Sequence, residues 1–148
     1  MVLLDTNVVS ELMRSIPDRA VDSWAAKHAV ENLFFSAVGE AELRYGAAII
    51  PEGRRRDKLV SDIERMMRSV FEDRILPFDS SAARAYAWIA ANRRRIGRPI
   101  SQADGQIAAI ARSRRLAVAT RNVRDFADMG IDVIDPWATP EETSTTRR

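Results

Sequence analysis

Short apolar runs alternate with helical segments along the chain, and this alternation restricts the fold more than any other feature. Runs of this length are predicted to be buried strands, and apolar residues at helical spacing predict the segments between them. Short buried strands that alternate with helices are typical of a parallel sheet covered on both faces. The sequence therefore predicts an α/β fold with a mostly parallel, doubly wound sheet of about five short strands flanked by helices. The predicted strands are Met1–Leu4, Leu33–Ser36, Ile75–Phe78, Leu116–Thr120 and Val133–Ile134.

The helices are predicted from this spacing and from capping residues. Pro17 suits a first turn, and the run Asp79-Ser80-Ser81 suits the cap of a helix that ends near Arg95. No repeat or linker divides the chain, so residues 1–137 are predicted to form one domain, and the polar residues 138–148 are expected to be a disordered tail. The other predicted helices are Thr6–Met13, Pro17–His28, Val38–Ile50, Arg54–Phe71 and Gln102–Arg114, with a short helix or turn at Arg121–Met129.

Composition excludes several classes of active site. The chain has no cysteine and a single histidine, His28, which rules out thiolate zinc sites, cysteine nucleophiles and histidine-rich metal centres. Metal chemistry would have to use carboxylate oxygens, and these suit Mg²⁺ or Mn²⁺. No apolar run is long enough to span a membrane, and no signal peptide precedes the first strand. We therefore expect a cytoplasmic protein without a membrane partner.

Basic residues are mostly arginines, and they occur in clumps although the formal net charge is only +2. Arginine forks match phosphate geometry. A single clump is more often a solvated helix face, but three of them favour contact with nucleic acid. The clumps are Arg54-Arg55-Arg56, Arg93-Arg94-Arg95 with Arg98, and Arg112 with Arg114-Arg115.

Acidic residues follow several predicted strands, where ligands of an open parallel sheet bind. Asp5 follows the first strand, Glu40 and Glu42 lie a turn into the helix after the second, and Asp125 follows the Leu116 strand. Asp104 lies in the first turn of an otherwise apolar helix. Each acid alone has a structural explanation, as a helix cap, a dipole partner or a surface residue. Spacing alone does not decide between Glu40 and Glu42.

Several carboxylates at one edge of a sheet repel one another. At ~4 Å and an effective dielectric of about 20, the cost is roughly 4 kcal/mol per pair. A fold tolerates this arrangement when the acids are protonated or when a divalent cation lies among them. The acids therefore indicate either protonated carboxyl groups or a bound divalent cation at this edge of the sheet.

Four segments of the chain match, in order, the motifs of a known family. They read LLDTNVVSEL, SAVGEAELRYGA, ISQADGQIAAIA, and LAVATRNVRDF followed by IDPW. Together they resemble the PIN domain, and within it the VapC/FitB-like toxins of bacterial toxin–antitoxin pairs, over roughly Met1 to Trp137. The resemblance implies a doubly wound nuclease domain. It also implies that four acids are catalytic and bind the metal, namely Asp5, Glu42, Asp104 and Asp125. The family motif thus selects Glu42 and not Glu40.

The fourth motif departs from the commoner PIN pattern. Many PIN domains have T-x-D-x-x-F, whereas this chain has Asn122 at the acidic position. The variant T-R-N-x-x-D-F resembles the FitB-like branch, in which the acid lies three residues on, at Asp125. Either Asp125 or Asn122 is therefore expected to complete the site. Thr6 resembles a hydroxyl position that binds metal-bound water or an acid.

The resemblance also implies an activity and partners. The expected activity is Mg²⁺-dependent endoribonuclease, with Mn²⁺ as a substitute, acting on single-stranded or loop RNA. The expected partner is a VapB-like antitoxin whose C-terminal segment enters the acidic site. The chain is also expected to form a homodimer and a toxin–antitoxin hetero-oligomer that binds operator DNA through the antitoxin.

Three alternatives stand beside this interpretation, and the sequence argues against the first two. A haloacid-dehalogenase-type phosphatase needs a second acid two residues after Asp5, where this chain has Asn7, and a phospho-receiver domain lacks its acceptor and lysine here. A catalytically inactive PIN scaffold, acting as an antitoxin-bound repressor component, is left open by Asn122. The retained Asp5, Glu42 and Asp104 argue against an inactive scaffold.

Overall fold

Five parallel strands form the sheet, as the alternation of the sequence predicts. The computed structural model describes residues 1–138, so most of the predicted tail lies outside the described residues. The strands are β1 (Val2–Leu4), β2 (Leu33–Ser36), β3 (Ile75–Leu76), β4 (Ala117–Ala119) and β5 (Val133–Ile134). They are ordered β3-β2-β1-β4-β5, and every neighbouring pair is parallel. The predicted α/β class and parallel sheet are confirmed.

The strand order creates one place where a ligand can enter. The chain leaves β1 towards β2 and β3, and then returns to the other side of β1 for β4 and β5. The connections after β1 and after β4 therefore run in opposite directions and leave a crevice beyond the carboxyl ends of these strands. The two strands are joined there by the N–H of Asp5, which donates to the carbonyl oxygen of Ala119 at 2.8 Å.

Helices occupy the predicted segments, with two differences. The prediction that Pro17 lies in the first turn of a helix is wrong, because Asp18 caps the helix and the first turn begins at Arg19. The predicted helix to Phe71 changes to a π-helical turn at Met66–Phe71. The segment Arg121–Met129, predicted as a short helix or turn, contains a 3₁₀ turn at Val123–Phe126. A second 3₁₀ turn spans Val30–Asn32. The helices are α1 (Thr6–Leu12), α2 (Arg19–Ala26), α3 (Ala37–Ala48), α4 (Arg54–Arg65), α5 (Ser80–Arg95) and α6 (Gln102–Ser113).

The third strand is shorter than predicted because a proline follows it. The sequence predicts a strand from Ile75 to Phe78, but pairing stops at Leu76. Pro77 follows, and it has no N–H with which to continue the ladder.

Two hydrophobic cores lie on opposite faces of the sheet. Alternate side chains of β1 point to opposite faces, so Val2 and Leu4 join one core and Leu3 joins the other. The first core is closed by α1 to α4, and the second by α5 and α6. Trp24 and Met66 pack against the first core and Met67 is buried in it, which makes these three residues structural. No helix within residues 1–138 is both long and apolar enough to cross a membrane.

Candidate active site

A cavity of about 550 Å³ opens beyond the carboxyl ends of β1 and β4, at the crevice created by the strand order. Three of the four predicted site acids line this cavity. The lining residues are Asp5, Thr6, Asn7, Ser10, Glu11, Arg14, Glu42, Asp104, Arg121, Asn122 and Trp137. Residues from the first, second, third and fourth sequence motifs thus meet in one place, and we name this cavity the acidic pocket.

Asp5 is a helix cap and a pocket residue at the same time. It is the N-cap of α1, and its Oδ1 accepts a hydrogen bond from the N–H of Thr6 at 2.8 Å. Its Oδ2 accepts from the hydroxyl of Thr120 at 2.8 Å, and Thr120 is itself fully buried at the end of β4. Only 4% of Asp5 is exposed. The side chain is therefore held in place by the first residue of α1 and by the residue that follows β4.

Three acidic side chains of the pocket lie near one another without a basic ion-pair partner in the described part of the chain. Burial raises the pKa of Asp5 to about 6, against the opposing hydrogen bonds from Thr120 and Thr6, and the charges of Asp104 and Glu42 raise the same pKa further. Burial also raises the pKa of the Asp104 carboxyl, and the charge of Asp125 adds to this rise. Within residues 1–138, no lysine or arginine forms an ion pair with Asp5, Glu42 or Asp104. The charged forms of Asp5 and Asp104 are therefore destabilised, and a bound cation would stabilise them.

Glu42 and Glu40 are separated by the geometry of α3. Oε1 of Glu42 accepts a hydrogen bond from the hydroxyl of Thr6 at 2.8 Å, whereas Glu40 pairs with Arg44 at 2.8 Å and does not line the pocket. Gly39 lets α3 begin this close to β2, because a side chain there would overlap the ring of Phe35. The structure therefore brings Glu42, and not Glu40, to Asp5.

Asp104, Asn122 and Asp125 stand at the other side of the pocket. Asp104 lies in the first turn of α6, where the hydroxyl of the N-cap Ser101 accepts a hydrogen bond from its N–H at 3.3 Å. The N–H of Asn122 donates to Thr120 Oγ1 at 3.0 Å. Asp125 is exposed and outside the pocket lining, although it is close enough to act on Asp104. That either Asn122 or Asp125 completes the site stays a prediction.

The oxygen donors of the pocket suit a magnesium ion that keeps several waters, rather than an ion that is coordinated by protein ligands alone. Within the part of the chain that the structure describes, no three acidic side chains converge closely enough to ligate one ion. Mg²⁺ is commonly held by one or two carboxylates together with water and substrate phosphates. Asp5 and Asp104 both line the acidic pocket and are the candidate carboxylates for such an ion, with Glu42 and Asp125 as further candidates.

The predicted arginine clumps turn out to be partly structural. Arg93 is buried, and its guanidinium donates to the carbonyl oxygens of Arg98, Asp125 and Ala127. Arg112 lies over the ring of Trp88 at 3.8 Å. The arginines that line the acidic pocket are instead Arg14 and Arg121, which lie outside the clumps. Arg121 lies two residues after the end of β4, so the search for polar residues beyond strand ends, which found Asp5, also finds Arg121.

The raised pKa of Asp5 predicts an unusual pH dependence of stability for the metal-free protein. Because its folded pKa is about 6 against an ordinary value of 3.8, the folded state binds more protons between these values. Asp5 therefore contributes fully to the free energy of unfolding below about pH 4. This contribution, up to roughly 3 kcal/mol, is lost as the pH rises through about 6. Urea unfolding in EDTA across this range measures the loss. If the difference in free energy of unfolding between wild type and Asp5→Asn in EDTA did not change from pH 4 to pH 7, the prediction would be contradicted.

Comparisons with known proteins agree with the fold and with the motifs. The family model of the PIN domain matches residues 2–131. VapC ribonuclease Y4jK of Sinorhizobium fredii is 43% identical over 93% of this chain and 98% of its own length. Toxin FitB of Neisseria gonorrhoeae is 39% identical over 93% of this chain and 99% of its own length. A solved structure of FitAB bound to an IR36 DNA fragment superposes with a TM-score of 0.87, at 37% identity, over 94% of this chain and 97% of that chain.

The matched residues 2–131 include the buried residues of both cores and every lining residue of the acidic pocket except Trp137. Relatives above 30% identity cover nearly the whole chain. The resemblance that the four sequence motifs indicate is therefore confirmed. The chain belongs to the PIN-domain family, and within it to the group of VapC and FitB nuclease toxins.

Proposed function

We propose that this chain is the toxin of a toxin–antitoxin pair and that it cleaves RNA internally with Mg²⁺ or Mn²⁺. The observation that carries the proposal is the buried Asp5 carboxylate, which shares the acidic pocket with Asp104 and Glu42 and has no basic ion-pair partner within residues 1–138. Such an arrangement is costly for a protein unless a cation offsets it.

The acids in and beside the pocket, and the two threonine hydroxyls bonded to them, each have a task in this proposal. Asp5 and Asp104 would hold the ion, and Glu42 and Asp125 would complete the acidic surroundings. When bound, the ion supplies charge stabilisation for a scissile phosphate and lowers the pKa of water. The hydroxyls of Thr120 and Thr6 keep Asp5 and Glu42 in place through their 2.8 Å hydrogen bonds.

A carboxylate must take the proton of the attacking water. The single histidine, His28, bonds through Nδ1 to the carbonyl oxygen of Trp24 at 2.8 Å and does not line the pocket. In Glu42, Oε1 is used by Thr6, and Oε2 remains to accept a proton. We therefore assign Glu42 as the general base.

The proposed antitoxin would lie in a second groove beside the pocket. This groove has a volume of about 710 Å³, is mainly apolar, and shares Thr6 and Glu42 with the acidic pocket. A relative of known structure is bound to its partner and to DNA. A partner segment in the groove would place an arginine among the acids, and the complex would bind operator DNA through the partner. Groove residues include Met13, Ile16, Leu43, Leu59 and Ile63.

Cleavage of RNA by purified protein tests the proposal. With Mg²⁺ or Mn²⁺ we expect cleavage, and with excess EDTA none. Asp104→Asn is expected to reduce the rate at least about 100-fold, because it removes a charge from the ion's ligands. Asp22→Asn is the matched control, since Asp22 is exposed in the first turn of α2. Cleavage that persisted in EDTA, or in Asp104→Asn at the control's rate, would refute the proposal. Operator binding with the antitoxin, without any cleavage, would favour the inactive scaffold.

A further inference from the structure

The acidic pocket contains a cationic residue to which neither the sequence motifs nor the metal chemistry assigns a task. We propose that Arg121, held against the ring of Trp137, binds a backbone phosphate of the RNA strand beside the cleaved bond. The inference rests on the proposed nuclease function and adds the residue that grips its substrate.

Position is the first argument. Arg121 directly follows Thr120 at the carboxyl end of β4, is exposed, and lines the same pocket as Asp5 and Asp104. Its N–H donates to Oδ1 of Asn7 at 3.4 Å, which ties its backbone to the start of α1. A phosphate that reached the acids would therefore pass within reach of this side chain.

The second argument is how the guanidinium is held. Its central carbon lies 5.1 Å from the ring centroid of Trp137, within the range of a cation–π interaction. Trp137 packs against the first hydrophobic core, and its backbone N–H donates to Oδ1 of Asp135 at 2.9 Å. Packing against the core supports the ring, which orients the guanidinium without neutralising its charge.

Charge is the third argument. RNA must approach a pocket with several carboxylates, and arginines on the pocket wall would add to the proposed ion in offsetting the repulsion between these carboxylates and the phosphates. Arg14 pairs with Glu11 at 3.1 Å, so its charge is already partly satisfied. Arg121 forms no ion pair with any residue in the range 1–138. Its N–H fork remains available for bidentate contact with phosphate.

Binding of RNA distinguishes this role from a structural one. The probe is a short fluorescein-labelled single-stranded RNA of mixed sequence, measured by anisotropy with Mg²⁺ in the Asp104→Asn background. Arg121→Gln is expected to raise Kd about 10- to 100-fold, the effect of losing one charge-assisted hydrogen-bonded pair. The slope of log Kd against log salt should fall by about 0.7, as for one lost phosphate contact. Mn²⁺ affinity, measured by calorimetry in the Asp104-containing protein, should not change.

Arg115→Gln is the matched control. Arg115 is exposed and precedes β4, so it lies at the end of this strand opposite to Arg121. If Arg121→Gln bound the RNA as Arg115→Gln does, the inference would be wrong although wild-type protein still cleaved RNA. A wild-type protein that neither bound Mn²⁺ nor cleaved RNA would instead remove the proposed function, and this inference with it.

Two variants at the supporting ring complete the test. Trp137→Phe keeps an aromatic face and should bind RNA nearly as the parent does. Trp137→Leu removes that face and should weaken binding about two- to fivefold, with thermal unfolding measured to confirm that both variants are folded. Equal affinities for the two folded variants would show that the ring does not hold the arginine for phosphate.

Discussion

Replacing Asp5 with asparagine is expected to lower the rate of RNA cleavage by about 1000-fold and, at the same time, to make the metal-free protein more stable at neutral pH. The loss of activity follows because the variant removes the most buried charge among the proposed ion ligands. The gain in stability follows because burial raises the pKa of this carboxyl to about 6, so its ionised form is disfavoured in the folded state.

The gain should approach about 3 kcal/mol at neutral pH in EDTA, as the raised pKa of Asp5 implies. Urea unfolding measures it, and single-turnover cleavage with Mg²⁺ measures the loss of activity. Asp18→Asn is the matched control, because Asp18 also caps a helix, accepts hydrogen bonds from the N–H groups of Ala20 and Val21, and lies outside the pocket. An Asp5→Asn protein that is less stable than wild type in EDTA would contradict the electrostatic account. Wild-type cleavage by the same variant would contradict the proposed site.

Replacing Arg93 with methionine is expected to lower the free energy of unfolding by about 3–5 kcal/mol. Arg93 is 4% exposed at the end of α5, and its Nη1 donates to the carbonyl oxygens of Asp125 and Ala127 at 2.9 and 2.8 Å. Its Nε donates to the carbonyl oxygen of Arg98 at 2.6 Å. Methionine fills much of the same volume but leaves these carbonyl oxygens without their donor.

Arg94→Met is the control, since Arg94 is the next residue of α5 and is exposed. Chemical unfolding of the two variants should give nearly the full loss for Arg93 and less than about 0.5 kcal/mol for Arg94. Because Arg93 holds the 3₁₀ turn that contains Asp125, Arg93→Lys should also weaken Mn²⁺ binding in a protein that still folds. Equal stability of the two methionine variants would show that these hydrogen bonds contribute little.

Much of the site could be predicted from sequence because its residues follow short strands. Asp5 and Asp125 come after apolar runs, and the order of elements places the ends of parallel strands at one edge. The choice of Glu42 over Glu40 was different, since both lie one turn into the same helix. It rested on the family motif, and it stays a prediction. In the structure Glu42 accepts a hydrogen bond from the hydroxyl of Thr6 and lines the acidic pocket.

The arginines show where local pattern is least informative. A clump in the sequence indicates charge density, but burial decides what each arginine does. Arg93 belongs to a clump and serves the fold, whereas Arg121 is outside the clumps and faces the acidic pocket. The spacing of the basic residues does not distinguish the buried Arg93 from the exposed Arg121. Arg93 is buried through contacts with Asp125 and Ala127, which are distant from it in the sequence.

The sequence by itself determined the class of fold, the parallel sheet, the PIN-domain family and the exclusion of cysteine and histidine-rich chemistry, because periodicity and residue type are local properties. Tertiary structure alone decided which side chains meet. The strand order places β4 beside β1, and so the hydroxyl of Thr120 reaches a carboxylate 115 positions away, on Asp5. Burial at that junction, and not the identity of either residue, raises the pKa of Asp5 and makes the pocket suited to a cation.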